Sequence, residues 1–260
     1  MRLAYDDEGP GPVVVLLHGF PLNRSMWSGQ LTGVGSIYRV IAPDLRGFGE
    51  TPAPADVSTY TMEAMADDVV ELLDELNLRE PVVLGGLSMG GYVALAAVAR
   101  HPSRFRALML LDTRASADTP EAALNREATA RSVEETGDVA AVVSGMMPRL
   151  FSPLTRERRP ELVAPIVESM NQASPRAVAA ALRGMAARPD RRAELPGLRL
   201  PTLVTVGADD LLTPPEEARS MASAIPGARL EVIPDAGHLS PFENAAASNA
   251  VILDFLKGLR

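Results

Sequence analysis

Residues 80–101, EPVVLGGLSMGGYVALAAVARH, constrain this chain more than any other stretch. Residues 81–84 form a short apolar run rich in valine, which reads as a buried strand. Residues 92–100, rich in alanine and leucine, read as a helix. Gly85-Gly86-Leu87-Ser88-Met89-Gly90-Gly91 joins the two without a polar loop. A serine therefore sits in a strand-to-helix turn, within Gly86-x-Ser88-x-Gly90, which is the pattern of a nucleophile elbow in its required context. Such a turn forces the serine into a strained backbone conformation. Side chains on its neighbours would collide, so glycine is favoured two residues before and two after. The turn lifts Ser88 Oγ above the end of the sheet. It also aims the first helix amide, that of Met89, at whatever Ser88 attacks.

The rest of the chain alternates in the same sense. Residues 13–17 are a further continuous apolar run, and 39–42, 107–111, 202–206 and 229–233 also read as strands. Asn23 or Ser25 can cap a short helix holding Met26, Trp27 and Leu31. Met62, Met65, Ala66, Val69, Leu72, Leu73 and Leu76 recur at helical spacing after Thr61, a suitable N-cap. A last helix is expected over about residues 242–256. Residues 116–192 carry no strand signal, only helical stretches punctuated by prolines. The expected fold is α/β: a mostly parallel central sheet flanked by helices. Residues 1–115 and 193–260 would form the core domain, and 116–192 an inserted helical cap over the sheet edge. In such sheets sites gather at the carboxyl ends of the strands. His18, Ser88, Asp112, Asp210 and His238 all fall there.

A serine hydroxyl is a poor nucleophile without a base, usually histidine. The chain has three histidines. His101 ends the elbow helix before Pro102, where it favours the helix dipole and points away from the sheet edge. His18 lies beside a glycine turn and is expected to hold loops by hydrogen bonding. His238 remains, in a loop after the last strand, and it falls last in sequence as the order serine, acid, histidine requires. The base needs a carboxylate, and Asp112, Asp209 and Asp210 all follow strands. A tetrahedral intermediate needs two amide donors: Met89 supplies one, and Phe20, after Gly19, the other.

Composition narrows the function. There are no cysteines, which excludes disulfides and thiol catalysis. A net charge of -8 argues against a nucleic-acid or anionic-membrane partner. No apolar run reaches membrane-spanning length, and the first residues lack a signal-peptide core, so a cytoplasmic location is expected. Nothing in the sequence fixes the oligomeric state. Leu22, Trp27, Met146 and Met147 are candidate pocket residues beside Phe20 and Met89, although methionines in the cap more often serve as core. Arg126, Arg131 and Arg149 are weaker candidates for holding a substrate carboxylate, since most arginines at this density are simply solvated.

Five motifs occur in the order of the α/β-hydrolase superfamily, and the chain resembles that superfamily along essentially its whole length. They are His18-Gly19-Phe20, the loop from Asp44 to Gly49, Gly86-Leu-Ser-Met-Gly90, Gly207-x-x-Asp210 with Pro214, and Gly237-His238. The resemblance implies a sheet of about eight strands with a helical cap. It also implies the acid: the family's spacing of glycine, acid and proline fits Gly207, Asp210 and Pro214. Asp209 would then brace the loop by bonding its own backbone amides. Within the superfamily, Gly86–Gly91 resembles 3-oxoadipate enol-lactonases and small carboxylesterases, and residues 18–22 resemble the cofactor-free haloperoxidases.

The expected activity is that of a serine hydrolase of small carboxylic esters or lactones, with no cofactor or metal. The alternatives are a perhydrolase or acyl transferase using the same acyl-enzyme, and a homologue that only binds small molecules.

Overall fold

The computed structural model describes residues 1–259. Strands and helices alternate: β1 (Tyr5–Glu8), β2 (Val13–Leu17), α1 (Ser28–Gly33), β3 (Arg39–Pro43), α2 (Met62–Glu75), β4 (Val82–Leu87), α3 (Met89–Arg100) and β5 (Phe105–Leu111). Five helices follow without a strand: α4 (Pro120–Thr136), α5 (Ala140–Leu150), α6 (Pro153–Arg158), α7 (Pro160–Asn171) and α8 (Pro175–Ala186). Then come β6 (Thr202–Gly207), α9 (Pro215–Ala224), β7 (Arg229–Ile233), α10 (Ser240–Glu243) and α11 (Ala245–Gly258).

The sheet has seven strands in the order β1-β3-β2-β4-β5-β6-β7, with β1 antiparallel to β3 and every other pairing parallel. The central strands β2, β4, β5 and β6 are apolar because both of their faces are covered. The sheet therefore has one strand fewer than the resemblance implies and one more than the apolar runs reveal. The extra strand is β1, whose sequence is YDDE and whose residues are largely exposed. An edge strand of this kind is held by backbone pairing to β3 and leaves no hydrophobic signature.

Two element boundaries differ from expectation. The elbow strand runs on through Gly85 and Gly86 to Leu87, so the turn is confined to Ser88. The C-terminal helix is broken at Asn244, whose side chain accepts from the Ala247 amide and starts α11 afresh. Thr61 and Asn23 cap as expected, accepting from the amides of Ala64 and Ser25.

Candidate active site

Ser88 has φ +53 and ψ -113, a region that L-residues rarely occupy, between the last residue of β4 and the first of α3. The crowding is severe. A Cβ at Gly86 would lie 2.1 Å from Gly90 O, and one at Gly90 would lie 2.3 Å from Leu17 O. Glycine at these positions lets β2 and the elbow approach closely enough to hold the strained turn. Thr113, just beyond β5, adds a hydrogen bond to Ser88 O at 2.7 Å. Ser88 itself is only partly buried.

The Asp210 side chain is fixed on three sides. Its Oδ1 accepts from the amides of Leu212 and Thr213 at 2.8 and 2.9 Å. Its Oδ2 accepts from Thr213 Oγ1 at 2.6 Å and from His238 Nδ1 at 2.9 Å. Burial opposes ionisation of Asp210, but its electrostatic interaction with His238 and the bonds from His238 and Thr213 outweigh it and hold the carboxyl below its usual value. With Nδ1–H turned to Asp210, Nε2 is left as the acceptor. Ser88, His238, Thr213 and Phe20 line one cavity of about 410 Å³. Among the described residues no hydrogen bond joins Ser88 Oγ to His238. Such bonds are often long in an empty site and tighten when substrate arrives.

The loop after β2 packs against the elbow: a Cβ on Gly19 would come within 3.5 Å of Ser88 Cβ. Met89 follows Ser88 directly and Phe20 follows Gly19, and among the described residues neither backbone amide donates to a protein acceptor. His18 is wholly buried. Its Nδ1 donates to Gly19 O and its Nε2 accepts from the Leu45 amide, both at 2.9 Å. Burial lowers its proton affinity, which suits a neutral ring bridging two loops. His101 instead bonds Asp67 at 2.7 Å, at the far end of α3.

The other two aspartates part company with Asp210. Asp112 is fully buried, and accepts from the Gly207 amide at 2.8 Å and from Ser240 Oγ at 2.5 Å. Burial, and then the nearby Asp210 charge, push its carboxyl well above the usual range. Asp209 is exposed, and its side chain accepts no hydrogen bond among the described residues. The expectation that Asp209 braces the loop is thus corrected. Asp210 does that work itself, because one carboxylate oxygen can serve the turn amides while the other faces His238.

Three expected pocket residues lie elsewhere. Trp27 is completely buried in the core. Leu22 closes a tight turn, its amide donating to Gly19 O at 2.9 Å, and lines a separate cavity of about 520 Å³ with Asn23 and Arg24. Met147 faces a groove with Pro160, Val163 and Val167, whereas Met146 lines the Ser88 cavity. Adjacent residues on a helix point about 100° apart, and here that offset turns the two methionines toward different spaces. The Met89 side chain is wholly buried. Among the expected arginines, Arg126 is paired with Asp118 and Arg131 with Glu127, and Arg149 donates to Leu211 O at 3.0 Å.

Several residues of the site were not legible beforehand. Thr213 is one, though an Asp210-x-x-Thr213 turn is a recognisable signal. Glu243 is another. It is 2% exposed, its Oε1 accepting from the Gly237 amide and its Oε2 from the Ser152 amide, each at 2.8 Å. The His238 amide donates to Leu150 O at 3.0 Å. The His238 loop is therefore clipped directly to the α5–α6 junction. Among the described residues no three carboxylate or imidazole groups converge as a metal cage would.

A sheet of this topology with a strained serine at the β4–α3 turn defines an α/β-hydrolase architecture. The chain belongs to the Alpha/beta hydrolase family, which it matches over residues 14–251. It is similar to a thermophilic esterase from Thermogutta terrifontis solved with malate bound, at 46% identity and a TM-score of 0.95, covering 99% of this chain and 93% of that one. It is also similar to the enol-lactonase from Burkholderia xenovorans, at 33% identity and a TM-score of 0.89, covering 98% and 96%. A 3-oxoadipate enol-lactonase of Acinetobacter baylyi is 28% identical over 99% of this chain and 94% of its own length.

Proposed function

We propose that this chain is a serine hydrolase of small carboxylic esters or lactones. The observation that carries the reading is the Asp210 carboxylate 2.9 Å from His238 Nδ1, on the wall of the cavity that holds Ser88. Ser88 Oγ attacks the carbonyl carbon while His238 Nε2 takes the hydroxyl proton. The amides of Phe20 and Met89 receive the developing oxyanion. His238 returns the proton to the leaving alkoxide, which leaves Ser88 acylated. A water molecule, deprotonated by His238, then releases the acid and restores the serine. Asp210 fixes the imidazole tautomer and stabilises its cation throughout. Residues 116–192 act as a cap: α4, α5 and α8 supply Asn125, Met146 and Leu182 to the cavity wall and so limit the size of the substrate. The esterase and enol-lactonase relatives support the substrate class.

The test is hydrolysis of p-nitrophenyl butyrate by the protein and by Ser88→Ala, with labelling by a fluorophosphonate. The variant is expected to lose roughly 10⁴-fold or more in kcat and all labelling, at unchanged far-UV circular dichroism. Turnover near the native rate would remove the serine mechanism.

A further inference from the structure

The charges around the cavity are out of balance. Four charged side chains besides His238 line it: Arg114, Asp118, Arg126 and Arg149. Asp118 is already taken by Arg126 and by Arg188, the latter at 2.8 Å. Among the described residues Arg114 and Arg149 have no carboxylate partner. Each donates instead to a carbonyl of one short loop, Arg114 to Leu212 O and Arg149 to Leu211 O at 3.0 Å. That loop also carries Thr213 and leads back to Asp210. The Nε of Arg114 is buried and has no hydrogen-bond partner among the described residues. Arg114 lies two residues beyond Asp112 and one beyond Thr113, whose hydroxyl holds Ser88 O. Its guanidinium is therefore at the sheet-edge wall of the cavity, and Arg149 stands on α5.

An arginine held by a single carbonyl bond keeps several donors free in a fork that matches a carboxylate. Leaving a buried donor without an acceptor is costly, and an anion entering the cavity would remove that cost. The whole chain has a net charge of -8, so this cationic wall runs against the overall charge. A surplus of one sign of charge on a cavity wall concentrates ligands of the other sign.

We propose that Arg114, assisted by Arg149, binds a free carboxylate on the substrate, so that the preferred esters or lactones are anionic. This rests on the hydrolase reading for the reaction, but binding of the anion does not require turnover.

The experiment compares p-nitrophenyl butyrate with mono-p-nitrophenyl glutarate, which adds a terminal carboxylate to an acyl chain of similar length. The native protein should favour the glutarate monoester in kcat/KM, and added sodium chloride should weaken that preference. Arg114→Gln should lower the ratio of the two kcat/KM values by roughly 10- to 100-fold, the range for a hydrogen bond to a charged group. Arg114→Lys should restore part of it, and Arg149→Gln should act in the same direction with a smaller effect. Glutarate and butyrate binding to Ser88→Ala, read by calorimetry with and without Arg114→Gln, measures the anion site apart from catalysis. An unchanged ratio, or equal losses on both esters, would overturn the proposal and leave Arg114 as a brace for the Leu212 loop. The same follows if glutarate binds Ser88→Ala no better than butyrate. Failure of the native protein to cleave either ester would count against the hydrolase reading, while the binding arm still decides the role of Arg114.

Discussion

At the carboxyl edge of the sheet, Asp112, Asp210 and Glu243 are each at most 2% exposed and are held largely by backbone amides and neighbouring hydroxyls. On the helices above, Glu127 and Glu134 share Arg183 in solvent-exposed pairs, with Arg131 adding a further contact to Glu127. Both regions are rich in charge, yet the chemistry differs. A buried carboxylate must find its donors within the protein, because leaving it unbonded costs several kcal/mol. Its position is thus as exact as the turns that surround it. Exposed pairs are held loosely and contribute little. The sheet edge therefore holds its side chains closely, whereas the helix surface is less constrained.

The comparison is most easily broken at Asp210. Replacement by asparagine keeps the shape but removes the charge and offers His238 a donor in one of its orientations. The expected loss in kcat is on the order of 10⁴-fold, measured on p-nitrophenyl butyrate. An active Asp210→Asn beside a crippled Asp112→Asn would move the acid to the β5 end.

Glu243 comes next. As glutamine it can accept from only one of the Gly237 and Ser152 amides and presents a donor to the other. The expected cost is about 1–3 kcal/mol, seen as a fall in Tm of roughly 2–10 °C. Because Gly237 precedes His238, kcat should fall about tenfold with little change in KM. An unaltered kcat would show that the clip secures the α5–α6 junction alone.

Asp112→Asn should leave hydrolysis within a few-fold of native and change the pH dependence of stability. The folded protein holds the Asp112 carboxyl above its usual value, through burial and then through Asp210. Folding therefore favours the protonated form, and the native protein loses stability as pH rises above about 4, the unfolded value. The asparagine variant escapes that loss, so its Tm relative to native should climb between pH 4 and 8. A constant difference would mean that Asp112 is ionised at no cost.

The smallest effect is expected on the helices. Arg183→Ala removes the exposed cluster and should shift Tm by no more than about 2 °C, with turnover unchanged. A large shift would mean that α4 and α8 depend on their ion pairs and would erase the contrast between the two regions.

What was legible in the sequence is local. The apolar runs of β2, β4, β5 and β6 announce themselves because both sheet faces are buried there. The glycines around Ser88 do so because a strained turn tolerates little else. The histidines sort by the elements they end: one at a helix terminus, one in a glycine turn and one after the last strand. β1 was silent, since pairing at an exposed edge needs no apolar residue. The fold alone decided what depends on distance between remote segments. Asp112 and Asp210 both follow strands, but only Asp210 lies within hydrogen-bonding reach of His238. Met146 and Met147 are neighbours in sequence but face different spaces. Glu243 meets Ser152, 91 residues away, and Arg114 meets the loop of Leu212, 98 residues away. Periodicity and turn chemistry act over a few residues, so they fix which elements form and where the elbow falls. Which carboxylate meets the imidazole, and which arginine is left without a partner, depends on how those elements pack.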